Sequence, residues 1–118
     1  ISIYKKNYQE DPRDIKQLNY LAFAYYIDKQ YKESKDKFQK IIKLDSRNIW
    51  SYNYLAIVYH QLEKYDLAEE NLKKSLEIEE NEYTYFLLGA NYYKQGNIFK
   101  ALYHAGKGRK AAAIFLDN

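Results

Sequence analysis

An offset of 34 residues lays Leu21-Ala22-Phe23-Ala24-Tyr25 over Leu55-Ala56-Ile57-Val58-Tyr59, and a further offset of 33 reaches Leu88-Gly89-Ala90-Asn91-Tyr92. A period of this length restricts the chain to stacked supersecondary units, because one unit hides its apolar face only against a neighbour. The second half of each unit repeats too. Tyr31, Ser34, Phe38, Ile41, Ile42 and Leu44 recur as Tyr65, Ala68, Leu72, Ser75, Leu76 and Ile78, and Ile98, Ala101, Ala105 and Gly108 continue the series.

Within a unit the apolar residues step by three and four, so Leu18, Leu21, Ala22 and Tyr25 form one helical stripe. Ser34, Phe38, Ile41 and Ile42 form another, and each unit reads as a helical hairpin. Composition agrees. One proline and 4 glycines leave little material for β-hairpins, while Lys, Glu, Leu and Ala favour helix. Gly96 marks the break between the helices of the third unit, where a left-handed residue ends a helix without steric penalty. Lys29 and Glu63 stand at that place in the other units, at about 1 kcal/mol each for a left-handed non-glycine residue. Asp14 followed by Gln17 predicts a capping box, and Asn48 and Asn81 are weaker helix starts.

This pattern of bulky, leucine, small, tyrosine, then small, aromatic and small resembles the tetratricopeptide repeat family. The small columns Ala22, Ala56, Gly89 and Ser34, Ala68, Ala101 let paired helices approach closely. The resemblance implies an all-α, right-handed solenoid of antiparallel helix pairs. Residues 1–14 are expected to be the second helix of a preceding unit, so that the native protein continues toward the N-terminus. Three units follow at 15–48, 49–81 and 82–115, the last with a helix extended from Ile98 to about Leu116 as a cap, and a short tail at 116–118. Two departures bear on the stacking: Ser46 replaces a frequent inter-repeat proline, and one residue is missing near Glu80-Asn81.

By the same resemblance, the first helix of each unit lines a concave groove that holds partner peptides. Here that groove carries Lys16, Asn19, Tyr20, Phe23, Tyr26 and Ile27; then Trp50, Asn53, Tyr54, Ile57, His60 and Gln61; then Tyr83, Phe86, Leu87, Ala90, Tyr93 and Lys94. Soluble proteins rarely leave a contiguous apolar patch bare, so such a lining argues for an occupant. Tyr20, Phe23, Tyr26, Trp50, Tyr54, Tyr83, Phe86 and Tyr93 would supply rigid contact area, and the phenolic hydroxyls, Asn19, Asn53 and Gln61 would bond a peptide backbone, with Ile57 among the lining residues. The expected partner is a protein or peptide with a hydrophobic segment. Self-association and packing against another part of the same protein are the alternatives. The carboxylate clamp of chaperone adaptors is not matched, since Asn19, Phe23, Tyr54, Tyr83 and Leu87 occupy its columns.

Chemistry is sparse. Without cysteine there is no disulfide, thiolate zinc site or cysteine nucleophile, and His60 and His104 are the sole imidazoles. No nucleophile, base and orienter can be assembled, which predicts no enzyme, metal or cofactor. The net charge of +3 gives no mandate for nucleic acid or anionic membrane. Only Lys16 and Lys94 are cationic in the groove, too few to track an RNA backbone. No apolar run reaches membrane length. Charge is nonetheless uneven: residues 62–82 carry 3 basic and 8 acidic side chains, whereas residues 83–118 carry 5 and 1. The abundance of Lys, Asn, Ile and Tyr, with codons rich in A and T, points weakly to an AT-rich bacterial genome.

Overall fold

The computed structural model describes residues 14–107. They form six helices and no strand: α1 (Ile15–Ile27), α2 (Tyr31–Leu44), α3 (Ile49–Gln61), α4 (Tyr65–Ile78), α5 (Glu82–Lys94) and α6 (Ile98–Lys107). Each helix packs against the next in chain order, and α3 also touches α5, so the chain is a stack of hairpins. The half-unit expected at the N-terminus and the helix continuing toward Leu116 lie outside the described residues.

The hairpin turns follow one scheme. Lys29 and Glu63 have φ of 61° and 60°, and Gly96 has φ of 80°, so all three turns pass through the left-handed region. In the first turn the Gln30 N–H donates to the Tyr25 carbonyl at 2.9 Å and the Lys29 N–H to that of Tyr26 at 3.0 Å. Lys64 and Glu63 donate in the same way to Tyr59 and His60, as Asn97 and Gly96 do to Tyr92 and Tyr93. This paired bonding satisfies helix-end carbonyls that would otherwise be orphaned, and it holds lysine and glutamate where glycine is easier.

Asp14, Asn48 and Asn81 cap the first helices of the hairpins, accepting from the N–H groups of Gln17, Ser51 and Thr84 at 3.2, 3.1 and 2.8 Å. The capping box expected at Asp14 closes on one side only. Gln17 Oε1 is buried without a hydrogen-bond partner instead of reaching back to the Asp14 N–H. Asn97 caps α6 through the Lys100 N–H at 3.2 Å.

Leu18, Ala22, Phe38, Ile41, Leu55, Ala56, Val58, Leu72 and Leu88 form the buried core along the axis of the stack. Gly89 belongs to the small column for a measurable reason. A methyl group there would lie 3.1 Å from the Ala105 backbone nitrogen and 3.2 Å from the Ala101 carbonyl oxygen, closer than side chains normally approach. On α4, Lys73 and Lys74 pair with Glu69 and Glu70 at 2.9 and 3.6 Å, partly offsetting the acidic run. The missing residue falls in the connection between hairpins: residues 45–48 join α2 to α3, whereas residues 79–81 join α4 to α5.

Candidate functional site

The first helices of the three hairpins, α1, α3 and α5, carry the expected aromatic residues. Phe23 of α1 meets Phe38 of α2 edge-on at 5.4 Å between ring centroids and Tyr54 of α3 at 4.8 Å. Phe38 and Tyr54 are 5.7 Å apart, so three rings seal the junction between the first and second hairpins. Trp50 then stacks on Tyr54 at 6.3 Å and approaches Tyr83 of α5 at 6.1 Å. The rings thus run continuously from α1 to α5. Such offset and edge contacts match the ring quadrupoles and stiffen the wall.

Much of this wall is open to solvent. Tyr20 is 50% exposed and Trp50 49%, whereas Phe23, Tyr54, Tyr83 and Phe86 are half-buried. Lys16, Asn19, Tyr20, Phe23, Asn48, Trp50 and Tyr54 enclose a cleft of about 400 Å³ beside α1. Burial, reinforced by Tyr54 and Tyr26, pushes the Tyr83 hydroxyl above the ordinary tyrosine range.

Other expected site residues are placed differently. Asn53 is 0% exposed; its Nδ2 donates to Thr84 Oγ1 at 2.9 Å, so its amide holds α3 to α5 and cannot reach a ligand. The physical reason is position: α3 is flanked on both sides, and a residue one step off the core stripe is sealed by the next hairpin. Tyr26 packs against Tyr31 at 5.5 Å and accepts from Gln61 Nε2 at 3.3 Å, which ties α1 to α3. Tyr93, 66% exposed, sits on the last turn of α5.

Ile57 belongs to a second cleft, of about 240 Å³, between the second and third hairpins. Its lining is Ala56, Ile57 and His60 from α3, Ala68 and Leu72 from α4, and Leu87, Ala90 and Asn91 from α5. Asn91 Nδ2 donates to the Tyr65 carbonyl at 3.0 Å, which turns its amide oxygen toward His60 Nδ1 at 3.1 Å. That oxygen only accepts, so Nδ1 must carry hydrogen, and the neutral ring keeps its Nε2 lone pair. Leu87 lies in the expected groove, whereas Leu72 reads from sequence as core; the repeat columns name both, since Phe23, Phe38 and Tyr54 correspond to Ile57, Leu72 and Leu87.

Among the described residues no group of three or more His, Asp or Glu side chains could hold a metal ion, and no helix is long and apolar enough to cross a membrane.

Comparison with known proteins agrees with the hairpin stack. Two structures of MamA, one from MSR-1, superpose with TM-scores of 0.81 and 0.83 at 18% and 22% identity, covering 92% and 91% of this chain. The chain spans 63% and 59% of those two chains. The Yersinia enterocolitica type III secretion translocator chaperone SycD superposes with a TM-score of 0.78 at 20% identity, over 81% of this chain and 72% of its own. At these identities the likeness establishes the fold. No curated protein matches by sequence. Residues 15–81 match the family model described as tetratricopeptide repeat. With matching columns, a common turn in all three hairpins and a family model over more than half of its length, the chain belongs to the tetratricopeptide repeat family.

Proposed function

We propose that the chain is a non-catalytic protein-interaction scaffold whose concave face, built by α1, α3 and α5, holds a hydrophobic or aromatic peptide or helix of a partner protein. The observation that carries this reading is the continuous aromatic wall with Tyr20 and Trp50 half exposed. Leaving such rings in water is unfavourable by about 25 cal/mol per Å² of apolar surface, and an apolar partner removes that surface from solvent. Rigid rings already stacked on their neighbours lose little freedom on binding. An aromatic wall favours an uncharged segment.

A test begins by capturing a partner with the purified chain, mapping the retained segment and measuring its affinity by calorimetry. Trp50→Ala is expected to weaken binding by about 2 kcal/mol with an unchanged circular dichroism melt, as for a hot spot at an interface centre. Unchanged affinity would remove the reading.

A second reading, self-association, is favoured by α6. Phe99 is 88% exposed, and Ile98, Leu102 and Tyr103 are also exposed on the same helix. Light scattering on Leu102→Glu distinguishes the two: a dimer lost in the variant supports association through α6, and a concentration-independent monomer in the parent excludes it. The apolar run from Ala111 to Leu116, the other candidate for such contacts, lies outside the described residues.

A further inference from the structure

The repeat provides its own comparison for the cleft between the second and third hairpins. At the preceding junction the three equivalent columns hold Phe23, Phe38 and Tyr54, whose rings contact one another. Ile57, Leu72 and Leu87 replace them here, and about 240 Å³ is left between the hairpins. An apolar cavity of about 150 Å³ stays dry and accepts benzene, so this space admits one aromatic ring with some atoms to spare. The cleft has one distinctive polar feature. Asn91 fixes the His60 tautomer, leaving Nε2 as a hydrogen-bond acceptor in the neutral ring.

We infer that this cleft is a specificity pocket for a hydrogen-donating aromatic side chain, tryptophan or tyrosine, of the bound segment, with His60 Nε2 accepting its N–H or O–H. The pocket rests on the reading of the concave face as a peptide site and adds the chemistry of one anchor. The partner's ring supplies the packing that this chain's own rings supply one repeat earlier. A phenylalanine would fill the space but leave the imidazole acceptor unpaired, and a leucine would fill it incompletely.

The experiment titrates the full chain with N-acetyl-tryptophanamide, N-acetyl-phenylalaninamide and N-acetyl-leucinamide. It follows the Ile57, Leu72 and Leu87 methyl and His60 ring resonances by NMR. The tryptophan amide is expected to shift all four residues and to bind at least about threefold tighter than the phenylalanine amide, the lower range for one neutral hydrogen bond. His60→Phe should abolish that difference. Leu87→Phe should fill the pocket and weaken tryptophan binding at least about tenfold; if that variant fails to fold, Ala90→Leu at the exposed rim serves the same purpose. Resonances unmoved at the solubility limit, equal binding of the two aromatic amides, or undiminished binding to the filled variant would each overturn the inference. In any of those cases, partner affinity still sensitive to Trp50→Ala leaves the concave-face reading standing, whereas insensitivity removes both.

Discussion

The two junctions of the stack use the same columns and close by different means. Between the first and second hairpins, Phe23, Phe38 and Tyr54 interlock, with centroids no more than 5.7 Å apart. Between the second and third, Ile57, Leu72 and Leu87 border open space, and buried polar bonds hold the helices. There Asn53 bonds Thr84, Thr84 Oγ1 lies 2.9 Å from Asn81 Oδ1, and Ser75 Oγ approaches Thr84 Oγ1 at 3.5 Å. The column of Thr84 holds Ser51 one repeat earlier, where its hydroxyl is buried without a hydrogen-bond partner. Ile41 stands there in place of Ser75. At these columns the first junction thus gains ring packing and tolerates an unsatisfied hydroxyl, whereas the second satisfies its polar groups and leaves a cleft.

Breaking the packed junction should have the largest effect. Phe38→Ala is expected to destabilise by about 3–5 kcal/mol, because the ring is fully buried and its neighbours cannot collapse around the void; Leu72→Ala should fall nearer 2, with fewer contacts to lose beside an existing cleft. Urea denaturation of both variants checks the order, and equal losses would mean that the junctions are energetically alike. Asn53→Ala attacks the polar junction and should cost about 1–3 kcal/mol by leaving Thr84 without that partner. Restoration by a second change, Thr84→Val, would attribute the loss to the unmet hydroxyl.

The turns sharpen the comparison on a smaller scale. Glu63→Gly is expected to stabilise by about 1 kcal/mol and Gly96→Ala to destabilise by about as much, since both residues occupy the left-handed region. Thermal melts of the pair should move in opposite directions. The smallest effect concerns Tyr83, whose hydroxyl titrates above its unfolded value. A raised folded value favours the neutral form, so its contribution is complete below about pH 10 and is lost as pH rises through the folded value. Tyr83→Phe should flatten the alkaline fall in melting temperature without changing the neutral-pH value appreciably.

Much of the architecture was legible because helix formation and pairwise stacking depend on local periodicity. Leu18, Leu21, Ala22 and Tyr25 announced one buried stripe, and Gly96 located a turn whose conformation Lys29 and Glu63 share. The site was only partly legible. Groove columns identified which residues leave the core stripe, but Asn53 shows that leaving the stripe does not ensure access to solvent when a flanking hairpin covers the position. Conversely, Ile57 and Leu87 read as groove residues and Leu72 as ordinary apolar core, and that the three meet around one cleft emerged from the space they fail to fill.

Sequence alone determined that this chain is a stack of helical hairpins with ring-bearing first helices, since a fixed period and an apolar stripe leave no other way to bury each unit. Tertiary structure decided which rings seal a junction, which stay in water, and where a cleft remains between hairpins. Those outcomes depend on side-chain volumes from three helices meeting at one point, a sum that no single helix's pattern contains.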